Sequence, residues 1–182
     1  MKRILILMGI LVIACTNFTE AQPKRSSKTR VLVRVPHNKV VYTKTVKRVK
    51  VHRVIPASAL RIKHASINYH FHGGKFYRLV GRNYVIVAPP VGVRVAALPF
   101  GYIRLKHASI NYYYYDGIFY RKPVGVTEYE VIEPPVGAIV PELPKDAEKV
   151  LFEDEIYFES MGVLYRPLQK SYEVVGKIES EY

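Results

Sequence analysis

The sequence predicts a mainly β fold: tandem repeats of a three-stranded unit, a hairpin plus one following strand, preceded by a basic β-ribbon. Three observations predict it. The heptapeptide KHASINY occurs at 63–69 and again at 106–112. Tyr-rich and β-branched runs flank Gly73-Gly74 and Asp116-Gly117, dipeptides that supply the positive φ of a two-residue hairpin turn. Pro89-Pro90-Val91-Gly92 and Pro134-Pro135-Val136-Gly137 then end a third strand, because proline lacks a ladder donor and fixes φ.

The elements follow in chain order. Lys2 and Arg3 precede an apolar run from Ile4 to Cys15. That run suits a secretion signal and is too short to span a bilayer. Two processing routes stay open. Cleavage after Thr19-Glu20-Ala21 makes residues 1–21 a signal peptide. Val12-Ile13-Ala14-Cys15 resembles a lipobox, which makes residues 1–14 the signal and Cys15 a lipidated N-terminus. Either route predicts an exported protein, periplasmic or outer-membrane-associated, with a lipid anchor in the second. No further apolar stretch is long enough for a transmembrane helix. Cys15 is the sole cysteine, so intrachain disulfides, thiolate catalysis and Cys-ligated metals are excluded.

Residues 22–55 read as a basic leader and ribbon. QPKRSSKTR at 22–30 is a flexible start, and PHNK at 36–39 is a turn between RVLVRV and VVYTKTVKRVKVHRVI. Neither strand face is purely apolar, which fits an edge ribbon. Repeat 1 spans 56–101, repeat 2 spans 102–148, and a degraded repeat 3 spans 149–182. Four features recur in all three: Tyr69, Tyr112 and Tyr157 before the turn; Gly74, Gly117 and Gly162 in it; Tyr77, Tyr120 and Tyr165 after it, each followed by Arg; and Tyr84, Tyr129 and Tyr172 opening the next strand. KHASINY reads as lead-in and first strand of the duplicated hairpin. A unit this small buries little alone, so the units should stack or pair to make a core. The period overlaps that of propeller blades, but three copies without a Trp-Asp signature argue against a propeller.

Charge is segregated. Residues 22–115 hold 19 Lys or Arg and no Asp or Glu, whereas 116–182 hold 7 basic and 14 acidic residues. The halves carry +19 and −7. The front half suggests an anionic partner, or pairing with the acidic half.

Candidate sites follow. Tyr112, Tyr113, Tyr114 and Tyr115 alternate faces along a strand, and an exposed face could stack on a sugar or grip a protein. Tyr also suits half-buried strands, the plainer account. Arg78, Arg121 and Arg166 lie opposite the recurring Tyr and could bind anions, or pair with Glu. Lys44, Lys47, Arg48, Lys50 and Arg53 in the ribbon could hold an envelope polyanion or an anionic membrane surface in a salt-sensitive way. No specific nucleic acid is expected as partner in an exported protein. His70 and His72 share a strand face, but Tyr113 and Tyr115 replace them in the second copy, so no metal site and no cofactor is expected. No catalytic motif is present, and the Glu128–Glu133 and Glu153–Glu155 clusters read as solvated acidic surface, so no enzyme is expected.

The Tyr-rich hairpin at 112–117, the two PPVG corners, and Leu-Pro at 98–99 and 143–144 resemble a family of exported Gram-negative bacterial proteins classed as a domain of unknown function. The resemblance covers Ile62 to Pro144, with a weaker tail to Gly176, and leaves the basic segment at 24–63 outside. It implies no catalytic residues. The leading expectation is an uncharacterised, non-enzymatic envelope protein with a structural or binding role through the Tyr-rich β-repeat, its polymer or protein partner unknown. The alternative is a binding module for anionic ligands that uses the basic ribbon.

Overall fold

The computed structural model describes residues 34–43 and 51–179. The signal segment with Cys15, and Lys44, Lys47, Arg48 and Lys50 of the ribbon, lie outside the described residues. The fold is β throughout, apart from a 3-10 turn at His37–Lys39.

Three sheets follow the three repeats. The first contains β3 (Val51–His52), β4 (Leu60–His64), β5 (Ile67–His72), β6 (Lys75–Val80) and β7 (Asn83–Val87), in the order β3-β7-β6-β5-β4. The second contains β8 (Arg94–Val95), β9 (Ile103–His107), β10 (Ile110–Tyr115), β11 (Ile118–Arg121) and β12 (Tyr129–Val131), in the matching order β8-β12-β11-β10-β9. The third is built on β14 (Glu148–Phe152), β15 (Glu155–Ser160), β16 (Val163–Pro167) and β17 (Tyr172–Ile178). To it are added β1 (Arg34–Val35) and β13 (Ile139–Val140) on β17, and β2 (Val41–Tyr42) on β14.

Each unit is thus a four-stranded antiparallel meander, one strand more than the sequence suggested. The extra strand comes from KHASINY itself. Its Ala-Ser is a second hairpin turn, with φ of 44° and 67° at Ala65 and Ser66, and 45° and 66° at Ala108 and Ser109. Glu153 and Asp154 repeat it at 49° and 62°. Two successive positive φ values are the mark of a type I′ turn. Each costs an L-residue roughly 1–2 kcal/mol, so flanking pairs such as His64↔Ile67 and His107↔Ile110 must hold it.

The PPVG corner joins neighbouring units. The Gly92 N–H donates to the Val131 carbonyl at 2.9 Å, and the Val131 N–H donates to Val93 at 2.7 Å. Gly137, Val174 and Ala138 repeat this arrangement at 2.8 and 2.9 Å. The chain leaving one sheet therefore adds a short strand to the last strand of the next. In the first sheet, β3 takes that place.

Among the described residues the leader does not pair with itself as a ribbon. Its two strands flank the PHNK turn but separate, β1 running parallel to β17 and β2 antiparallel to β14. Five residues link them, so the two edges of the third sheet are drawn together. Val35 and Val40 fill the resulting core with Val150, Phe152, Tyr157, Leu164 and Val175. The reason is burial. An isolated two-stranded ribbon has nowhere to put Val35 and Val40, while this site removes both from water.

The second sheet is buried on both faces. Tyr120, Ile118 and Val131 meet Tyr69, Phe71 and Phe76 of the first sheet. Tyr114 and Phe119 meet Val163, Tyr165 and Val174 of the third. The order along the molecule is first sheet, second sheet, third sheet, N-terminal strands.

A candidate anion-binding face on the first repeat

Strand registers put residues of the three sheets in correspondence. Val95 and Val140 lie opposite Tyr129 and Tyr172, where the first sheet has His52 opposite Tyr84. Tyr113 and Phe158 lie opposite Tyr120 and Tyr165, where the first sheet has His70 opposite Tyr77. Ile118 and Val163 correspond to Lys75. In the second and third sheets this face packs on the preceding sheet. In the first, among the described residues, no sheet precedes it. Imidazole and ammonium stand here in place of apolar side chains, which suits a face with no sheet packed on it.

The ring geometry survives the replacement. Tyr113 meets Tyr129 edge-on at 5.1 Å and 84°, and Phe158 meets Tyr172 at 5.6 Å and 82°. His70 meets Tyr84 at 5.2 Å and 86°. His52 meets Tyr77 edge-on at 5.7 Å. His52 Nε2 and His70 Nδ1 have no hydrogen-bond partner, although both atoms are out of contact with solvent. Among the described residues no three His, Cys, Asp or Glu side chains gather closely enough to hold a metal ion.

A hollow of about 590 Å³ opens at one end of this sheet. Arg61, Asn68, His70, Arg78 and Tyr84 line it, with Ile67, Leu79 and Val80 beside them. No carboxylate takes part. The recurring arginines show why this matters. Arg121 donates to Glu130 through Nε at 3.4 Å and Nη2 at 3.3 Å. Arg166 donates to Glu173 through Nε at 3.2 Å. Arg78 faces Val85 in the same register, and no described carboxylate pairs with it. Of the three predicted arginines, Arg121 and Arg166 are paired within their own sheets, and Arg78 is not paired with any described carboxylate.

The Tyr run is spent mainly on packing. Tyr114 is 1% exposed, and its hydroxyl donates to the Glu142 carbonyl at 3.0 Å. Tyr113 is half-buried between Tyr129 and Tyr102. Tyr112 is half-buried opposite Leu105. Tyr115 rests on the Gly74 turn, where an added Cβ would overlap its ring. Burial pushes the Tyr114, Tyr120 and Tyr165 hydroxyls above their ordinary value of 10. Tyr42 is pushed up to about 12, chiefly by burial and then by Glu159 and Glu148. Arg53, the ribbon residue that is described, is exposed.

A second, larger groove of about 880 Å³ runs where the three units meet. Tyr115 and Asp116 line it with Lys75 from the first sheet and Met161 from the third. Its charges are mixed: Lys75 lies 3.9 Å from Asp116, and Glu142, Lys145 and Asp146 share the wall. A wall of mixed charge selects no sign of ligand.

Sequence reasoning missed Arg61, Asn68, His70 and Tyr84 as lining residues. The available signal was the aligned strand YVIV, YEVI and YEVV, where Val85 stands in place of Glu130 and Glu173. Among the described residues no helix is long and apolar enough to cross a membrane. No curated protein and no solved structure matches this chain. A family model does, over residues 33–178, so the match takes in the N-terminal strands and most of the basic segment that the sequence motifs had left outside. The chain belongs to the family described as a family of unknown function (DUF6515).

Proposed function

We propose that the protein is an exported, non-enzymatic component of the bacterial envelope that holds an anionic ligand on its first repeat. The Tyr-rich repeats serve as scaffold, and the end of the first sheet where Arg61 and Arg78 line the hollow serves as binding site. The observation that carries the reading is Arg78. It occupies the register in which Arg121 and Arg166 each meet a glutamate, but lies in a hollow with Arg61 and no carboxylate. Arg61 comes to this end of the sheet from the face of His70 and Arg78 from the face of Tyr69, so each can offer a forked donor to phosphate, sulfate or carboxylate oxygens from its own side. Export is supported by the N-terminal charge and apolar pattern. The reading favours the anionic-ligand alternative over a Tyr-based one, and moves it from the ribbon to the first sheet.

Val85→Glu tests it. The substitution copies what the second and third sheets already contain, so it should leave folding intact while pairing Arg78 internally. Binding to inorganic polyphosphate at low salt should fall at least tenfold. Arg121→Gln should leave it within twofold. Equal binding by Val85→Glu and the parent protein would remove Arg78 from the site and the reading with it.

A further inference from the structure

The geometry points to an anionic lipid surface as the ligand, met by the turn ends of the first two sheets. This rests on the anion-binding reading above and adds an apolar component to it. The glycine-turn ends of the sheets are stacked together: Gly74 lies against Tyr115 and Pro99, and Gly117 against Pro144 and Ser160. The opposite ends, about one strand length or ~20 Å away, form the other rim. On the first sheet that rim carries Ile67, Leu79 and Val80, at 39%, 52% and 47% exposure. On the second it carries Ile110 at 52% and Val124 at 102%. Large apolar side chains at turn tips gain nothing from water, and five of them along one rim fit insertion at the boundary of acyl chains.

Cations sit beside each tip. Lys63 and Arg82 flank the first, and Lys106 and Lys122 the second, all exposed. The first rim has no carboxylate, and the second has Glu128, half-buried where its loop enters β12. The third sheet's corresponding turn is Glu153-Asp154-Glu155, which an anionic surface repels. The molecule would therefore dock by its first two sheets, with the third and the N-terminal strands held away. The hollow with Arg61 and Arg78 opens on this rim and would receive a headgroup phosphate.

The chain has no Trp. Val124→Trp on the mature protein, as the cell processes it, therefore gives a reporter without background at a position that bears on nothing else. Its emission should shift to the blue with phosphatidylglycerol vesicles, and bromine-labelled acyl chains should quench it. Phosphatidylcholine vesicles should do neither. Lys63→Gln with Lys106→Gln should lower partition about 25-fold, taking about fivefold for each lysine near the surface. An unshifted tryptophan in a protein that still binds polyphosphate overturns the lipid assignment and leaves the anion reading standing. An equal shift with phosphatidylcholine also overturns it. A protein that binds neither vesicles nor polyphosphate sinks both.

Discussion

Gly73 and Gly74 form one turn, and their substitution by alanine separates two physical effects. Both have positive φ, 56° and 81°. A Cβ on Gly73 would meet nothing within 4 Å. A Cβ on Gly74 would overlap the edge of the Tyr115 ring and come within 2.8 Å of Pro99 Cγ. Gly73→Ala should therefore cost only the backbone term, about 1 kcal/mol. Gly74→Ala adds overpacking between two sheets, about 1–3 kcal/mol more, for a total of about 2–4 kcal/mol. The other copies agree with this division. Asp116 and Met161 fill the first turn position at φ of 44° and 51°, whereas the second is Gly in all three. Urea unfolding with equal m-values measures the difference. Tyr115→Ser in the Gly74→Ala background should give a double mutant more stable than the sum of the singles predicts, by about 1 kcal/mol or more. If both alanine variants lose the same stability, Gly74 is not where the first two sheets touch, and the stacking order described above is wrong.

The remaining predictions concern the interior and the site. Tyr120→Phe removes a buried hydroxyl that has no partner, so it should raise stability by about 1 kcal/mol, while Tyr114→Phe, which breaks the bond to Glu142, should lower it by a similar amount. The unfolded chain releases tyrosine protons near pH 10 and the folded protein holds those of Tyr114, Tyr120 and Tyr165 above it; stability should be full below pH 10 and fall as pH rises past it, seen as phenolate absorbance appearing together with unfolding. Polyphosphate binding should weaken steeply with salt, and Arg78→Gln should flatten that dependence where Arg166→Gln does not.

The repeat, the glycine turns and the PPVG corners were legible because each depends on a local rule that one residue type satisfies. The Ala-Ser turn was not legible. Nothing local favours positive φ at Ala65 and Ser66; the paired strands on either side enforce it, and that is tertiary context. The fate of the leader was hidden for the same reason. Val35 and Val40 are placed by a cavity formed from Val150, Leu164 and Val175, more than a hundred residues away. Of the candidate site, Arg78 was visible as a recurring residue. Its difference from Arg121 and Arg166 became meaningful only when the register set Val85 opposite it.

Comparison among the copies also separates residues kept for the stack from residues that depart from it. His64 and His107 lie under the PPVG glycines: a Cβ on Gly92 would be 3.5 Å from His64 Cε1, and one on Gly137 would be 3.1 Å from His107 Cε1. The third copy has Phe152 in that place and no PPVG to follow, and Phe152 turns to the N-terminal core instead. Imidazole and corner thus occur together and vanish together, which a common packing constraint explains and duplication alone does not. The departures are concentrated as well. His52, His70, Lys75 and Val85 differ in kind from their counterparts, and all four lie on the first sheet. The first three lie on the face against which, among the described residues, no sheet packs. Val85 does not: it is on the other face, where a glutamate would pair Arg78 as it does twice elsewhere. Leaving that arginine unpaired sacrifices an ion pair available to the fold, and a ligand carrying negative charge is what would restore it.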